Sequence, residues 1–129
     1  MSFNILTVDD SKTIRKVIKK TLQLSGVPVG EFYEAENGKQ ALEIMQANWV
    51  DLVFADINMP VMNGVEMIER MAEDNILDKL PVIIVSTEGS KTRIDELMHK
   101  GVKAYLRKPI TPENLRNAVI NVMGDYDAT

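Results

Sequence analysis

The sequence predicts an α/β fold, a doubly wound five-stranded parallel sheet with helices on both faces. Three observations carry this. Short apolar, β-branched stretches alternate five times with helically spaced apolar residues, and strict alternation of strand and helix demands parallel strands joined by right-handed crossovers. The first, third and fourth stretches are apolar without in/out alternation, as strands buried on both faces are. No repeat, low-complexity tract or linker breaks the order, so residues 1–129 read as one domain with its core between about residues 4 and 123.

"NILTV" (4–8) is the first strand. Ile14, Val17, Ile18, Thr21 and Leu22 then recur at helical spacing, with Asp10 or Ser11 available as a cap and Gly26 as a stop. "EFYEA" (31–35) is the weakest strand signal, and Asn37 after it caps a helix carrying Ala41, Leu42 and Met45. "DLVFA" (51–55) is followed by a helix of Val65, Ile68, Met71 and Ala72. "PVIIV" (81–85) leads to Ile94, Leu97 and Met98, a helix that Gly101 ends. After "KAYLR" (103–107), Thr111, Pro112 and Glu113 form an N-cap, a first-turn proline and a first-turn acid. They open the last helix, with Leu115, Ala118, Val119 and Val122 on its apolar face.

Composition narrows the chemistry. With 45% hydrophobic and 26% charged residues the chain is an ordinary globular one. No segment nears the ~18 consecutive apolar residues of a membrane span. "MSFNILTVDD" lacks the basic start and apolar stretch of a signal peptide. A cytoplasmic protein with no membrane partner is expected. The absence of cysteine excludes disulfides, thiolate metal sites and cysteine nucleophiles, and the one histidine, His99, cannot build a multi-histidine metal site. His99 is expected at the surface. A net charge of -4 argues against nucleic acid as a partner. Oxygen chemistry remains.

In open parallel sheets, ligands bind beyond the carboxyl ends of the strands, where the strand order reverses. Those ends carry Asp9 and Asp10, Asp56, Ser86 and Thr87, and Lys108 with Pro109. Each alone has an ordinary explanation as a cap, turn residue, loop hydroxyl or solvated cation. Three carboxylates, a hydroxyl and a lysine on one edge call for a joint one. Two carboxylates ~5 Å apart at an effective dielectric of ~20 repel by about 3 kcal/mol. Lys108 offsets one of the three charges, and the excess of two matches a divalent cation held by oxygens. Mg²⁺ fits best, because it takes one or two carboxylates and favours phosphate oxygens as further ligands. A carboxylate, a divalent ion, a lysine and a hydroxyl suffice to move a phosphoryl group, with Asp56 as the nucleophile.

"VDD" at 8–10, "DINMP" at 56–60 with Gly64 after it, Ser86 at the end of "PVIIVS", and "KP" at 108–109 together resemble the receiver domain of bacterial two-component response regulators. The likeness spans essentially the whole chain, and Asn58 and Glu88 resemble the stand-alone chemotaxis-type members. It implies the flavodoxin-like strand order 2-1-3-4-5. It also implies that Asp56 accepts phosphate from a histidine kinase, and that Asp10, Asp56 and the backbone carbonyl of Asn58 bind Mg²⁺ with Asp9 helping through water. Lys108 would pair with Asp56 and later with the phosphoryl group, across a cis bond to Pro109. Ser86 would hydrogen-bond the phosphoryl group, and Tyr105 would turn inward as Ser86 moves. The protein would be a monomeric signalling phosphoacceptor, not an enzyme, catalysing only its own phosphorylation and slow dephosphorylation.

Its downstream partner, such as a flagellar motor switch protein or a phosphatase, would meet the fourth helix, fifth strand and fifth helix. Lys91, Arg93, Lys100, Lys103, Tyr105 and Arg107 cluster there. On the first helix Lys12, Arg15, Lys16, Lys19 and Lys20 present a basic face suited to steering an acidic kinase domain. Thr87 departs from the usual Ala or Gly, and its bulk bears on the rates of phosphorylation and hydrolysis. A phosphorelay intermediate and a phosphate sink are alternatives within the same family. A haloacid dehalogenase-like phosphatase would need a second acid where Asn58 stands. A flavin or nucleotide module would need a neutral or basic phosphate loop where "DDSKT" stands.

Overall fold

The computed structural model describes residues 2–87 and 89–124; Glu88 and the chain end after Gly124 lie outside the described residues. Strands and helices alternate throughout: β1 (Phe3–Val8), α1 (Lys12–Ser25), β2 (Val29–Ala35), α2 (Gly38–Ala47), β3 (Leu52–Ala55), α3 (Gly64–Glu73), β4 (Val82–Ser86), α4 (Lys91–Lys100), β5 (Ala104–Arg107) and α5 (Pro112–Met123). All strand pairs are parallel and the order is β2-β1-β3-β4-β5, as expected. The chain first moves outward from β1 to β2 and then crosses back to β3. The reversal therefore opens a crevice between the ends of β1 and β3.

The unbroken apolar runs are explained by two cores, one on each face. Leu6, Val8, Val53, Ala55, Val82 and Ile84 pack with Ile68, Met71 and Leu97 on one side. Ile5, Leu52, Phe54, Ile83 and Val85, the alternate residues of the same strands, pack with Ile18, Leu22, Leu115 and Val119 on the other. Among the described residues, no helix is long and apolar enough to cross a membrane.

Local signals set most boundaries. Ser11, not Asp10, caps α1 by accepting from the Ile14 N–H, and Asn37 and Thr111 cap α2 and α5 as expected. Asn63 and Glu66 form a capping box that starts α3. Gly26 ends α1 at φ 79° and Gly101 ends α4 at φ 120°, conformations open to glycine at little cost. β2 begins at Val29, earlier than its apolar pattern indicates, because Phe3 pairs with Val29 and Asn4 Oδ1 accepts the Glu31 N–H at 2.9 Å. Val17 and Met98 leave the apolar faces assigned to them, at 48% and 41% exposure. The buried stripe of α1 runs through Arg15, Ile18, Leu22 and Ser25 instead, and Leu97 is the buried anchor of α4.

Candidate functional site

Backbone pairing carries β1 and β3 past their last apolar residues and delivers the acids to the crevice. The Asp9 N–H donates to the Ala35 carbonyl at 3.0 Å, and the Asp56 N–H to the Val8 carbonyl at 2.9 Å. Carboxylate oxygens of Asp9, Asp10 and Asp56 then lie within 4.8 Å of one another. Lys108 arrives from the far side of the sheet, its N–H donating to the Ser86 carbonyl at 2.9 Å and its bond to Pro109 cis. Its ammonium donates to Asp9 Oδ2 and to Asp56 Oδ2, both at 3.0 Å. Lysine thus bridges two carboxylates where the sequence suggests one. The other oxygens are held locally, Asp9 Oδ1 by the Ser11 N–H at 2.9 Å and Asp56 Oδ1 by the Ile57 N–H at 2.7 Å.

The remaining predicted residues differ in burial. Ser86 is fully buried at the end of β4, and Thr87 beyond it is exposed. Tyr105, opposite Ile84 in the β4–β5 register, is half-buried against the core on the α2–α3–α4 side. Asn58 is exposed in the β3–α3 connection, which the Gly64 N–H closes onto the Ile57 carbonyl at 2.8 Å. His99 is exposed. On the α4–β5–α5 face Lys91, Lys103 and Arg107 are exposed, but Lys100 is engaged with Glu69 at 3.2 Å.

One residue beside the site lies elsewhere than its charge suggests. Arg15 is not part of the exposed basic face of α1 with Lys12, Lys16, Lys19 and Lys20; it is 7% exposed. Its Nη1 donates to the main-chain carbonyl of Asp9 at 2.6 Å and its Nε to Glu34 Oε1 at 3.1 Å. The signal was present, since Arg15 falls one helical turn before Ile18 on the stripe that continues to Leu22 and Ser25.

Burial raises the Asp9 pKa above the ordinary carboxylate range, against the Ser11 N–H and Lys108, which favour the ionised form; the nearby charge of Asp56 adds to the rise. For Lys108 burial works the other way, but the hydrogen bonds and charges of Asp9 and Asp56 outweigh it and raise its pKa. The native state therefore holds the Lys108 proton more tightly than the unfolded chain does. That contribution to stability is complete below the ordinary lysine value of about 10.4 and is lost as pH rises through the native value. Replacing Lys108 with Met is expected to cost about 2 kcal/mol near neutral pH, because two partly buried carboxylates lose their cation. In urea unfolding the gap from wild type should narrow above pH 10, and a gap that stays constant would contradict the raised pKa.

One lysine against three carboxylates leaves two negative charges in excess, and the oxygens are close enough to share one small ion. Hard oxygen donors of this kind suit Mg²⁺. Comparison with known proteins adds the decisive observation: residues 5–120 match the response regulator receiver domain. The chain belongs to this family. It is 37% identical to the chemotaxis protein CheY1 of Helicobacter pylori, over 95% of this chain and 98% of that one. Its fold superposes on Vibrio cholerae CheY4 with a TM-score of 0.82 at 32% identity, covering 95% of this chain and 99% of that one. A Borrelia burgdorferi CheY, solved as a complex with CheX, BeF3 and Mg²⁺, superposes with a TM-score of 0.83 at 26% identity, covering 94% of this chain and 89% of that one. Receiver domains of the CheY type are components of two-component signalling and not metabolic enzymes.

Proposed function

We propose that this receiver domain is a chemotaxis response regulator that takes a phosphoryl group from a histidine kinase onto Asp56 and then changes its affinity for a downstream partner. The observation that carries the reading is the shared lysine: Lys108 Nζ lies 3.0 Å from both Asp9 and Asp56, with Asp10 beside them. Asp10, Asp56 and the Asn58 carbonyl would hold Mg²⁺, with Asp9 acting through water. When bound, the ion supplies positive charge to the phosphoryl oxygens. An Asp56 oxygen attacks phosphorus, the P–N bond to the donor histidine breaks, and its electron pair returns to the imidazole. Lys108 follows the charge from the carboxylate to the phosphoryl oxygens.

The aspartyl phosphate adds about -1.5 to -2 charge and three strong acceptors. Ser86 donates to one of them, and Tyr105 moves into the space that Ser86 leaves. Driving such a switch from 1:99 to 99:1 takes about 5.5 kcal/mol, which a few charge-assisted hydrogen bonds supply. The α4–β5–α5 face reads out the change to a flagellar motor switch protein or a phosphatase. The complex of a Borrelia burgdorferi CheY with CheX supports that class of partner. Thr87 is exposed just past Ser86, and its bulk bears on the rates of transfer and hydrolysis. We place the protein in the cytoplasm as a monomer.

Acetyl phosphate with Mg²⁺ is expected to add one phosphoryl group, read by intact mass and mapped to the peptide containing Asp56. Chelation of the metal should abolish the gain. Labelling that survives chelation, or that maps to another residue, would refute the proposal.

A further inference from the structure

Burying a guanidinium is costly, and the packing of α1 does not ask for one at position 15. A methionine on that stripe would fill the space with no charge to desolvate, and apolar replacements of buried ion pairs are often neutral or stabilising. The two hydrogen bonds of Arg15 show what the charge does there. Its fork reaches from Glu34, near the end of β2, to the main-chain carbonyl of Asp9, just past the end of β1. The Ser11 N–H and Lys108 hold the two carboxylate oxygens of Asp9. With Arg15 on the carbonyl, all three oxygens of Asp9 are fixed.

Building on the functional reading above, we propose that Arg15 is a positioning residue for the metal-binding carboxylates. By clamping the main chain at Asp9 it sets the direction in which Asp9 and Asp10 leave the strand end. Removing a cation beside a cation-binding site should tighten the metal, whereas removing a clamp should loosen it. Groups that orient metal ligands from behind are typically worth 10- to 100-fold in affinity.

Calorimetric titration of the full chain with MgCl₂ decides between the two. Arg15→Met is expected to bind about tenfold more weakly than wild type. Arg15→Lys, which keeps the charge but cannot span Asp9 and Glu34 with one planar fork, should also bind several-fold more weakly. Lys16→Met, the same charge change on the exposed side of α1, should bind as tightly as wild type or slightly tighter. Circular dichroism establishes which variants are folded. A folded Arg15→Met that binds Mg²⁺ as tightly as wild type overturns the clamp, and if that variant does not fold, an Arg15→Lys constant within about twofold of wild type does so. Wild type that binds no Mg²⁺ would remove the functional reading itself, and the clamp with it.

Discussion

Asp56→Asn is expected to take no phosphoryl group from acetyl phosphate under conditions that label wild type fully. The amide nitrogen and oxygen are too weakly nucleophilic to replace a carboxylate, so the loss should be complete within detection. The fold should survive, because the amide oxygen can still accept the Ile57 N–H, and Lys108, which loses its acceptor at the amide NH2, keeps Asp9 Oδ2 as a partner. In metal-free buffer the variant is expected to be as stable as wild type or more so, within about 1 kcal/mol. It loses an ion pair with Lys108 but also loses repulsion from Asp9 and Asp10, each about 3 kcal/mol at ~5 Å and a dielectric of ~20. Added Mg²⁺ should raise its melting temperature less than it raises that of wild type. Labelling of the variant at the wild-type rate would mean that another residue is the nucleophile.

Gly64→Ala should damage stability and chemistry together. A Cβ at this position would lie 2.9 Å from Ile57 Cα and closer still to the Asp56 carbonyl oxygen. Both obstacles are main chain and cannot rotate away. Gly64 is buried, and its own N–H closes the turn on the Ile57 carbonyl at 2.8 Å, so the strain must move the segment that carries Asp56. Overpacking a well-filled site costs roughly 1 to 3 kcal/mol, and the upper end is expected here. Displacement of a reacting group by ~1 Å can cost on the order of 100-fold in rate. Urea unfolding and the rate of acetyl phosphate labelling measure the two effects. A variant with wild-type values in both would show that the β3–α3 turn yields easily and that its close packing does not hold Asp56 in place.

Much of this was legible because the signals are local. A run such as "DLVFA" must be buried on both faces, since no alternation offers solvent a side, and parallel strands follow from the helices between such runs. Caps and stops at Ser11, Asn37, Thr111, Gly26 and Gly101 are single-turn chemistry. The acids and Lys108 were visible as strand-end residues. Val17 and Met98 were misread because helical spacing says only that residues share a side, and the neighbours decide how far round the helix burial extends. Arg15 was misread for a related reason. Its charge suggested solvent, while its partners are Glu34 of β2 and the Asp9 carbonyl just past the end of β1.

By itself the amino-acid order determined the alternation of elements, the doubly wound sheet and the strand ends that bear the acids, because hydrophobic period and capping act within a few residues. Only the folded chain decided that Lys108 bridges Asp9 and Asp56 at 3.0 Å each, and that Arg15 turns inward onto Asp9. Hydrogen bonds between residues 99 and 52 positions apart depend on how the sheet twists and aligns its strand ends. Those distances arise from the packing of all five strands at once.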